Sequence, residues 1–287
     1  MAKFILSAFA DEAGKTLLEQ IDALKANNFT ALEPRGLDKG NISTYTPQMC
    51  KEVKKILDDN GIIVSSMGSP FGKINIHDDF NAHFDSFKVC VENANILGTN
   101  KIRMFSFYKN DDEKWEDLRD DIFEKLDIMA TYSLKNGVLC CHENEKDIYG
   151  DTDTRCLDIL KTFEGKIRGV FDPANFIQCG VQILPAYEML APYIEYMHIK
   201  DGRYADGSIT PPGKGDGNLV ELLRLFNKAE GEKFLTLEPH LKVFAGLSEL
   251  EKEGGTADVL KDDYTYPTNR DAFNAAANAL HEVLAQI

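Results

Sequence analysis

Four side chains able to hold a cation follow four successive apolar runs. Glu143 closes Val138-Leu139-Cys140-Cys141-His142, Asp172 follows Val170-Phe171, His198 stands near the end of the run from Ile194 to Ile199, and Glu238 follows Leu237. Three carboxylates and one imidazole form a hard, oxygen-rich donor set suited to Mn2+, Mg2+ or Co2+ and acceptable to Zn2+ or Fe2+. Any one of them alone reads as a helix cap or an ion-pair partner on a polar rim. Four in succession, each at the end of an apolar run, point to one shared site.

To meet at a point, these residues need strands that run in the same direction. Short runs rich in Ile, Val, Phe and Leu predict strands at Phe4–Phe9, Phe29–Glu33, Ile62–Met67, Lys101–Phe105, Val138–Glu143, Ile167–Phe171, Ile194–Ile199 and Phe234–Glu238. Between them, apolar residues recur with a helical period. Leu17, Leu18, Ile21 and Leu24 share a face, as do Phe80, Phe84, Phe87, Val91 and Ala94. The same period returns in Trp115 to Met129, in Ile159 to Phe163, in Leu219 to Phe226 and in Phe273 to Val283. Asn60-Gly61, Asn136-Gly137 and Glu164-Gly165 supply turns ahead of three of the strands.

Eight such units predict the α/β class and a (β/α)8 TIM barrel, a single domain over residues 1–287. Two long loops, 200–218 and 239–267, belong on its active-site face. Within the second, Glu249, Glu251, Lys252 and Glu253 read as a short solvated helix.

Composition narrows the partners. Asp and Glu outnumber Lys and Arg by 47 to 32, and the net charge of -15 repels nucleic acid and anionic membranes. No run of 18 apolar residues occurs, and Asp11-Glu12 cuts off the apolar opening stretch before a signal-peptide core is complete, so the expected location is cytoplasmic. The six cysteines form no CxxC pair and read as reduced core thiols.

Several short fragments, weak singly, carry a family likeness by their order. They are Phe9-Ala10-Asp11-Glu12, His142-Glu143-Asn144-Glu145, Phe171-Asp172-Pro173-Ala174-Asn175, His198-Ile199-Lys200-Asp201, Pro212-Gly213-Lys214-Gly215-Asp216 and Leu237-Glu238-Pro239. Over nearly its whole length the chain resembles the xylose isomerase-like barrel superfamily, which includes sugar isomerases and epimerases, inosose dehydratases and AP endonucleases. The resemblance implies that Glu143, Asp172, His198 and Glu238 hold one divalent ion on two neighbouring oxygens of a ketose. Glu143 and Glu238 would then flank the sugar carbon as catalytic acid and base and work through an enediolate. Return of the proton to the opposite face inverts the centre, and transfer to the neighbouring carbon interconverts aldose and ketose.

Two positions depart from the family pattern. Many members carry a histidine where this chain has Asn175, which can bind a substrate hydroxyl but cannot donate a proton near neutrality. Arg203 falls where the family often has a basic contact to substrate oxygens, and it reads equally as a surface arginine. Glu33 either contacts substrate hydroxyls or pairs with Arg35, the pairing being favoured. His77, His83 and His281 read as peripheral. His240 is kept among the substrate-binding candidates as a support to the site. Gly213-Lys214-Gly215 resembles a phosphate-cradling turn, although the family likeness explains it as a mobile loop over the site. Phe105, Phe107, Tyr108 and the stretch Met67 to Lys73 are expected to wall the pocket.

The expected function is therefore that of a divalent-metal-dependent sugar isomerase or epimerase in carbohydrate metabolism, acting on a small-molecule sugar or polyol ketone. An inosose-type dehydratase on the same metal site is the alternative. A non-catalytic sugar-binding barrel is the alternative from another class. An AP endonuclease needs a histidine-rich cluster and a basic groove, and the sequence offers neither. The resemblance also implies a homo-oligomer.

Overall fold

Apolar, β-branched runs that stop at a polar or turn residue give short strands, and the amphipathic segments between them give helices that cover the outside. The computed structural model describes residues 1–244 and 264–287. Among the described residues the barrel strands are β1 Lys3–Ala8, β2 Ala31–Leu32, β3 Ile63–Val64, β4 Lys101–Met104, β5 Leu139–Glu143, β6 Ile167–Phe171, β7 Ile194–Ile199 and β8 Glu232–Leu237. One six-stranded parallel sheet runs in the order β1-β8-β7-β6-β5-β4, and β2 pairs in parallel with β3.

Backbone bonds at the two seams complete the ring. The Thr30 and Glu33 N–H groups donate to the Leu6 and Ala8 carbonyls at 3.2 and 3.1 Å, joining β2 to β1. Met67 forms a parallel bridge to Ile102, joining the end of β3 to β4. The expected barrel is thus the observed one.

β2 and β3 are shorter than the expected Phe29–Glu33 and Ile62–Met67. At the β3–β4 seam a side-chain hydroxyl takes a ladder acceptor, Thr99 Oγ1 donating to the Ser65 carbonyl, while the Lys101 N–H donates to Thr99 Oγ1. Pro34 then ends β2, because it has no N–H to offer.

The outer helices are α1 Leu17–Ala26, α2 Pro47–Asp59, α3 Phe80–Leu97, α4 Trp115–Lys135, α5 Asp153–Thr162, α6 Pro173–Gln178, α7 Ile183–Leu190, α8 Leu219–Phe226 and α9 Asn269–Leu284. Capping boxes start α1, between Thr16 and Glu19, and α9, between Thr268 and Asp271. The apolar-period reading missed α2, whose buried stripe is only Cys50, Val53 and Leu57 amid charged residues. It also missed α6 and α7. All six cysteines are free, and five of them are buried. Among the described residues no helix is long and apolar enough to cross a membrane. The short acidic helix expected around Glu249 to Glu253 lies outside the described residues.

The loop after β3 is held by one of the histidines expected to be peripheral. The Gly72 N–H donates to His83 Nε2 at 3.0 Å, and the His83 ring meets Phe71 edge-on at 5.0 Å between centroids. Gly72 has φ +91°, and an added Cβ would lie 2.2 Å from the Phe105 carbonyl oxygen, so only glycine fits this close approach. Burial pushes the His83 imidazole down to about 4, against a smaller upward pull from Asp78. A neutral ring is what the Gly72 N–H requires. Because the folded value is depressed, this contribution to stability is complete above the unfolded value near 6.5 and is lost as pH falls through about 4. With allowance for partial exposure, thermal unfolding followed from pH 7 to pH 4 is expected to lose about 1–2 kcal/mol at this residue. A His83→Gln variant should show a correspondingly shallower pH dependence.

Candidate metal centre

Each of the four donors is aimed by its own strand. Glu143 is the last residue of β5. Asp172 follows β6 and caps α6, its Oδ1 accepting the Asn175 N–H at 2.9 Å. His198 is inside β7, and the Glu238 N–H continues the β8 ladder by donating to the Ile199 carbonyl at 3.1 Å. All four are buried, and one ligand atom from each lies within 4.8 Å of the others.

His198 Nδ1 lies 3.0 Å from Glu143 Oε1 and 3.5 Å from Glu238 Oε2. Buried cations surround the carboxylates. Lys200 Nζ is 3.0 Å from Asp172 Oδ2 and 3.2 Å from Glu238 Oε2. Arg103 Nη1 is 3.2 Å from Glu143 Oε2, and Arg35 Nη1 donates to Glu238 Oε1 at 2.8 Å.

Burial alone would raise every carboxyl here, so the neighbours decide which stay ionised. For Glu143, His198 and Arg103 outweigh burial and hold the carboxyl down to about 2. For Glu238, Lys200, His240 and His198 outweigh burial and hold it well below the usual range. Asp172 is the exception: burial outweighs Lys200 and lifts it to about 7. His198 goes the other way, since Glu143 and Glu33 outweigh burial and raise the imidazole well above its ordinary value.

The donor set fits a divalent cation on two grounds. Glu143 Oε2 and Asp172 Oδ2 are buried oxygens that accept no well-aligned hydrogen bond and meet only the ion-pair contacts of Arg103 and Lys200. Charge gives the second: among the described residues, the six carboxylates Asp11, Glu12, Glu33, Glu143, Asp172 and Glu238 meet the three cations Arg35, Arg103 and Lys200 and the imidazoles of His198 and His240. Glu12, Glu238 and His240 also come within ligand distance of one another. There the Arg35 guanidinium already bonds Glu12 and Glu238 at 3.1 and 2.8 Å, so a protein cation fills the role.

Glu143 and Glu238 of the cluster line a small polar cleft together with Lys73, Arg103, Phe105 and Lys200. Asn175 and His240 line it too. Asn175 Nδ2 donates to Glu143 Oε1 at 3.2 Å and to the Asn144 carbonyl at 2.9 Å. His240 Nε2 is 3.3 Å from Glu238 Oε1.

Glu33 and Arg203 are not brought to the cavity wall. Glu33 is fully buried beneath His198, bound by Tyr196 and Thr236. Arg203 follows the short hairpin strand Asp201–Gly202, its N–H donating to the Ser208 carbonyl, and its guanidinium lies 5.8 Å from the Tyr264 ring centre. The favoured Glu33–Arg35 pairing gives way to another arrangement: Arg35 forks onto Asp11 at 2.9 and 3.0 Å and reaches Glu12 and Glu238. The glycine turn holds no open cradle either, because Gly213, Gly215 and Gly217 donate their N–H groups to the Asp201 carboxylate.

The sequence reading gives no role to Arg103 or Lys200, sets Glu145 aside as a rival of Glu143 for the strand-five position, and places Lys73 only within the stretch expected to wall the pocket. Lys200 had a legible signal, since it lies two residues from His198 and so on the same face of an extended strand. Arg103 was legible as a charge between Ile102 and Met104 in an otherwise apolar strand. Lys73 and Glu145 pair at 2.9 Å across the cavity mouth from different loops, which no local pattern reveals.

The profile of the family described as xylose isomerase-like TIM barrel matches residues 21–261. A search among curated proteins gives no match. Among solved structures, the probable 3-DHS dehydratase AsbF of Bacillus anthracis is 16% identical, with 98% of this chain and 99% of that one covered and a TM-score of 0.72. The IOLI protein, solved with a bound zinc atom, is 14% identical over 99% and 98% of the two chains, with a TM-score of 0.72. A D-tagatose 3-epimerase-like protein is 16% identical over 99% and 97%, also at 0.72. At these identities the likeness to the solved structures is one of fold. Through the profile match, the chain belongs to the xylose isomerase-like TIM barrel family.

Proposed function

We propose that this protein is a divalent-metal-dependent enzyme that moves a proton next to the carbonyl of a sugar or polyol ketone, as an isomerase or epimerase. The observation that carries this reading is the convergence of Glu143 and Glu238, from strands with two others between them, on the same His198 nitrogen at the cavity floor. A cation held by Glu143, Asp172, His198 and Glu238 would polarise the ketone and offset the charge that builds on its oxygen when the adjacent C–H bond breaks.

The protein supplies the proton traffic. Arg103 beside Glu143, and Lys200 and Arg35 beside Glu238, keep both carboxylates ionised and so ready to accept a proton. The one that has gained a proton can return it to the neighbouring carbon, whereas delivery to the other face requires its partner first to take up a proton from solvent. Asn175 and His240 on the cavity wall are the groups proposed to bind and orient substrate hydroxyls. Phe105, also on the wall, offers an apolar face for the sugar carbons and excludes water.

A second reading is favoured by Lys200. Its buried ammonium lines the cavity between Asp172 and Glu238, where it can hold the departing hydroxyl while the carboxyl that took the carbon-bound proton passes it on, so that the hydroxyl leaves as water. AsbF, of the same fold, is named as a probable dehydratase.

Both readings begin with loss of a carbon-bound proton. Protein reconstituted with Mn2+, Mg2+ or Co2+ and incubated in deuterated water with ketohexoses, ketopentoses, their phosphates or inososes is expected to place deuterium next to the carbonyl. An epimer or isomer as product supports the first reading, and a product lighter by one water supports the second. Ligand binding without any exchange across the whole set would contradict both and leave a non-catalytic sugar-binding barrel.

A further inference from the structure

Glu33 is a fully buried carboxylate that does not line the cavity and, among the described residues, forms no ion pair with a guanidinium or ammonium group. Its Oε1 accepts from the Tyr196 hydroxyl at 2.9 Å and its Oε2 from Thr236 Oγ1 at 2.8 Å. Its backbone N–H is tied to the Ala8 carbonyl at 3.1 Å, so both ends of the residue are fixed. Among the described residues the carboxylate also faces His198, with Glu33 Oε2 3.5 Å from Nε2, within ion-pair reach. That Nε2 is buried and makes no hydrogen bond, so Glu33 is the acceptor facing it.

Burying a carboxylate against two hydroxyls is costly, and a buried ring nitrogen without a partner adds to the cost. Both are accounted for if they face each other for a purpose. The His198 ring is clamped edge-on by Phe9 at 5.0 Å and by Tyr196 at 5.6 Å, so its plane is set by packing. With that plane fixed, Nδ1 points to Glu143 and Glu238 and Nε2 points to Glu33. An imidazole can offer a lone pair to a cation at Nδ1 only if the remaining proton is on Nε2.

We infer that Glu33 is a positioning residue that holds the His198 proton on Nε2, and so sets the metal affinity of the site, with Tyr196 and Thr236 holding Glu33 in turn. The inference rests on the metal-centre reading above. It replaces the expected substrate contact of Glu33 with a role exerted through His198, and it adds a negative charge about one ring's width behind the cation site.

The test is Mn2+ and Zn2+ affinity of the full chain by chelator competition and calorimetry, with thermal unfolding of the metal-free protein as a check of folding. Glu33→Ala is expected to weaken metal binding about 10- to 100-fold. Glu33→Gln, whose carbonyl can still accept from Nε2–H, should lose less. Thr236→Val and Tyr196→Phe leave the carboxylate in place but loosen it, and they should fall between wild type and Glu33→Ala. They carry the test if Glu33→Ala does not fold. A nitrogen-resolved NMR spectrum of the zinc-bound protein should show the Nε2–H tautomer in wild type and its loss or mixing in Glu33→Ala. Folded Glu33 variants with wild-type affinity and an unchanged tautomer would overturn the inference. A wild-type chain that binds neither metal would overturn the metal-centre reading itself, and the two failures differ in whether the wild type binds.

Discussion

Replacing Glu238 with glutamine is expected to slow exchange of the substrate's carbon-bound hydrogen by about 10²- to 10⁴-fold, the usual contribution of a positioned general base. The amide matches the carboxylate in size but cannot accept a proton, and it carries no charge for the ions around it. Arg35 Nη1 at 2.8 Å and Lys200 Nζ at 3.2 Å would both lose a charged partner in a buried setting. Some loss of stability is therefore expected, about 1–3 kcal/mol, since each cation loses one charged hydrogen-bond partner while Arg35 keeps Asp11 and Glu12 and Lys200 keeps Asp172. Exchange should be measured at saturating metal on protein shown to be folded, so that lost binding and lost chemistry are separated. Glu143→Gln removes the other base and should stop net epimerisation equally. With the two carboxylates on opposite faces of the carbon, each variant is expected to keep a residual one-sided exchange by the base that remains. Two variants that exchange at the wild-type rate would remove both glutamates from the chemistry.

Replacing Asp201 with alanine is expected to be the most damaging change to stability away from the donors. Its carboxylate accepts the N–H groups of Gly202, Gly213, Gly215 and Gly217 at 2.9, 2.8, 3.1 and 2.9 Å. A Cβ at Gly215 or Gly217 would lie 2.5 or 2.6 Å from Asp201 Oδ1, so the glycines are what let the loop close on the carboxylate. Alanine would strand these donors, each at about 1–3 kcal/mol where water cannot replace the acceptor. Some of them lie where water can enter, so a total of about 3–5 kcal/mol is expected, with a fall in Tm of about 10 °C. Asparagine should recover only part, since its NH2 group would face N–H donors. Urea unfolding of the three proteins measures this directly. A loss below about 0.5 kcal/mol in Asp201→Ala, the range of an ordinary surface change, would contradict the account.

The barrel was legible because strand and helix periods do not overlap, and because apolar runs ended at residues such as Glu143 and Asp172 that had no reason to be buried unless they met. The placement of charge partners was not legible. Arg35 and Glu33 are two residues apart, which suggests pairing, yet Arg35 turns to Asp11, Glu12 and Glu238 while Glu33 turns to His198. Only the closure of the cylinder, which brings residue 35 beside residue 238, decides this. The turn containing Gly213 and Gly215 posed the same difficulty, since its backbone donors are recognisable but the anion they hold comes from the chain itself, at Asp201. Lys200 and Arg103 show the same limit. Each stands beside apolar strand residues, but the acids that each meets come from other strands and are set by closure of the cylinder. The short α2 stripe of Cys50, Val53 and Leu57 was hidden by the lysines and acids around it.

The convergence of four side chains on one cation is tested most directly by anomalous diffraction from crystals grown with Mn2+. One strong peak is expected about 2.0–2.3 Å from a donor atom of each of Glu143, Asp172, His198 and Glu238. It should vanish in crystals of Asp172→Ala. A peak elsewhere in the molecule, or none at this cluster with Mn2+ in excess, would contradict the account.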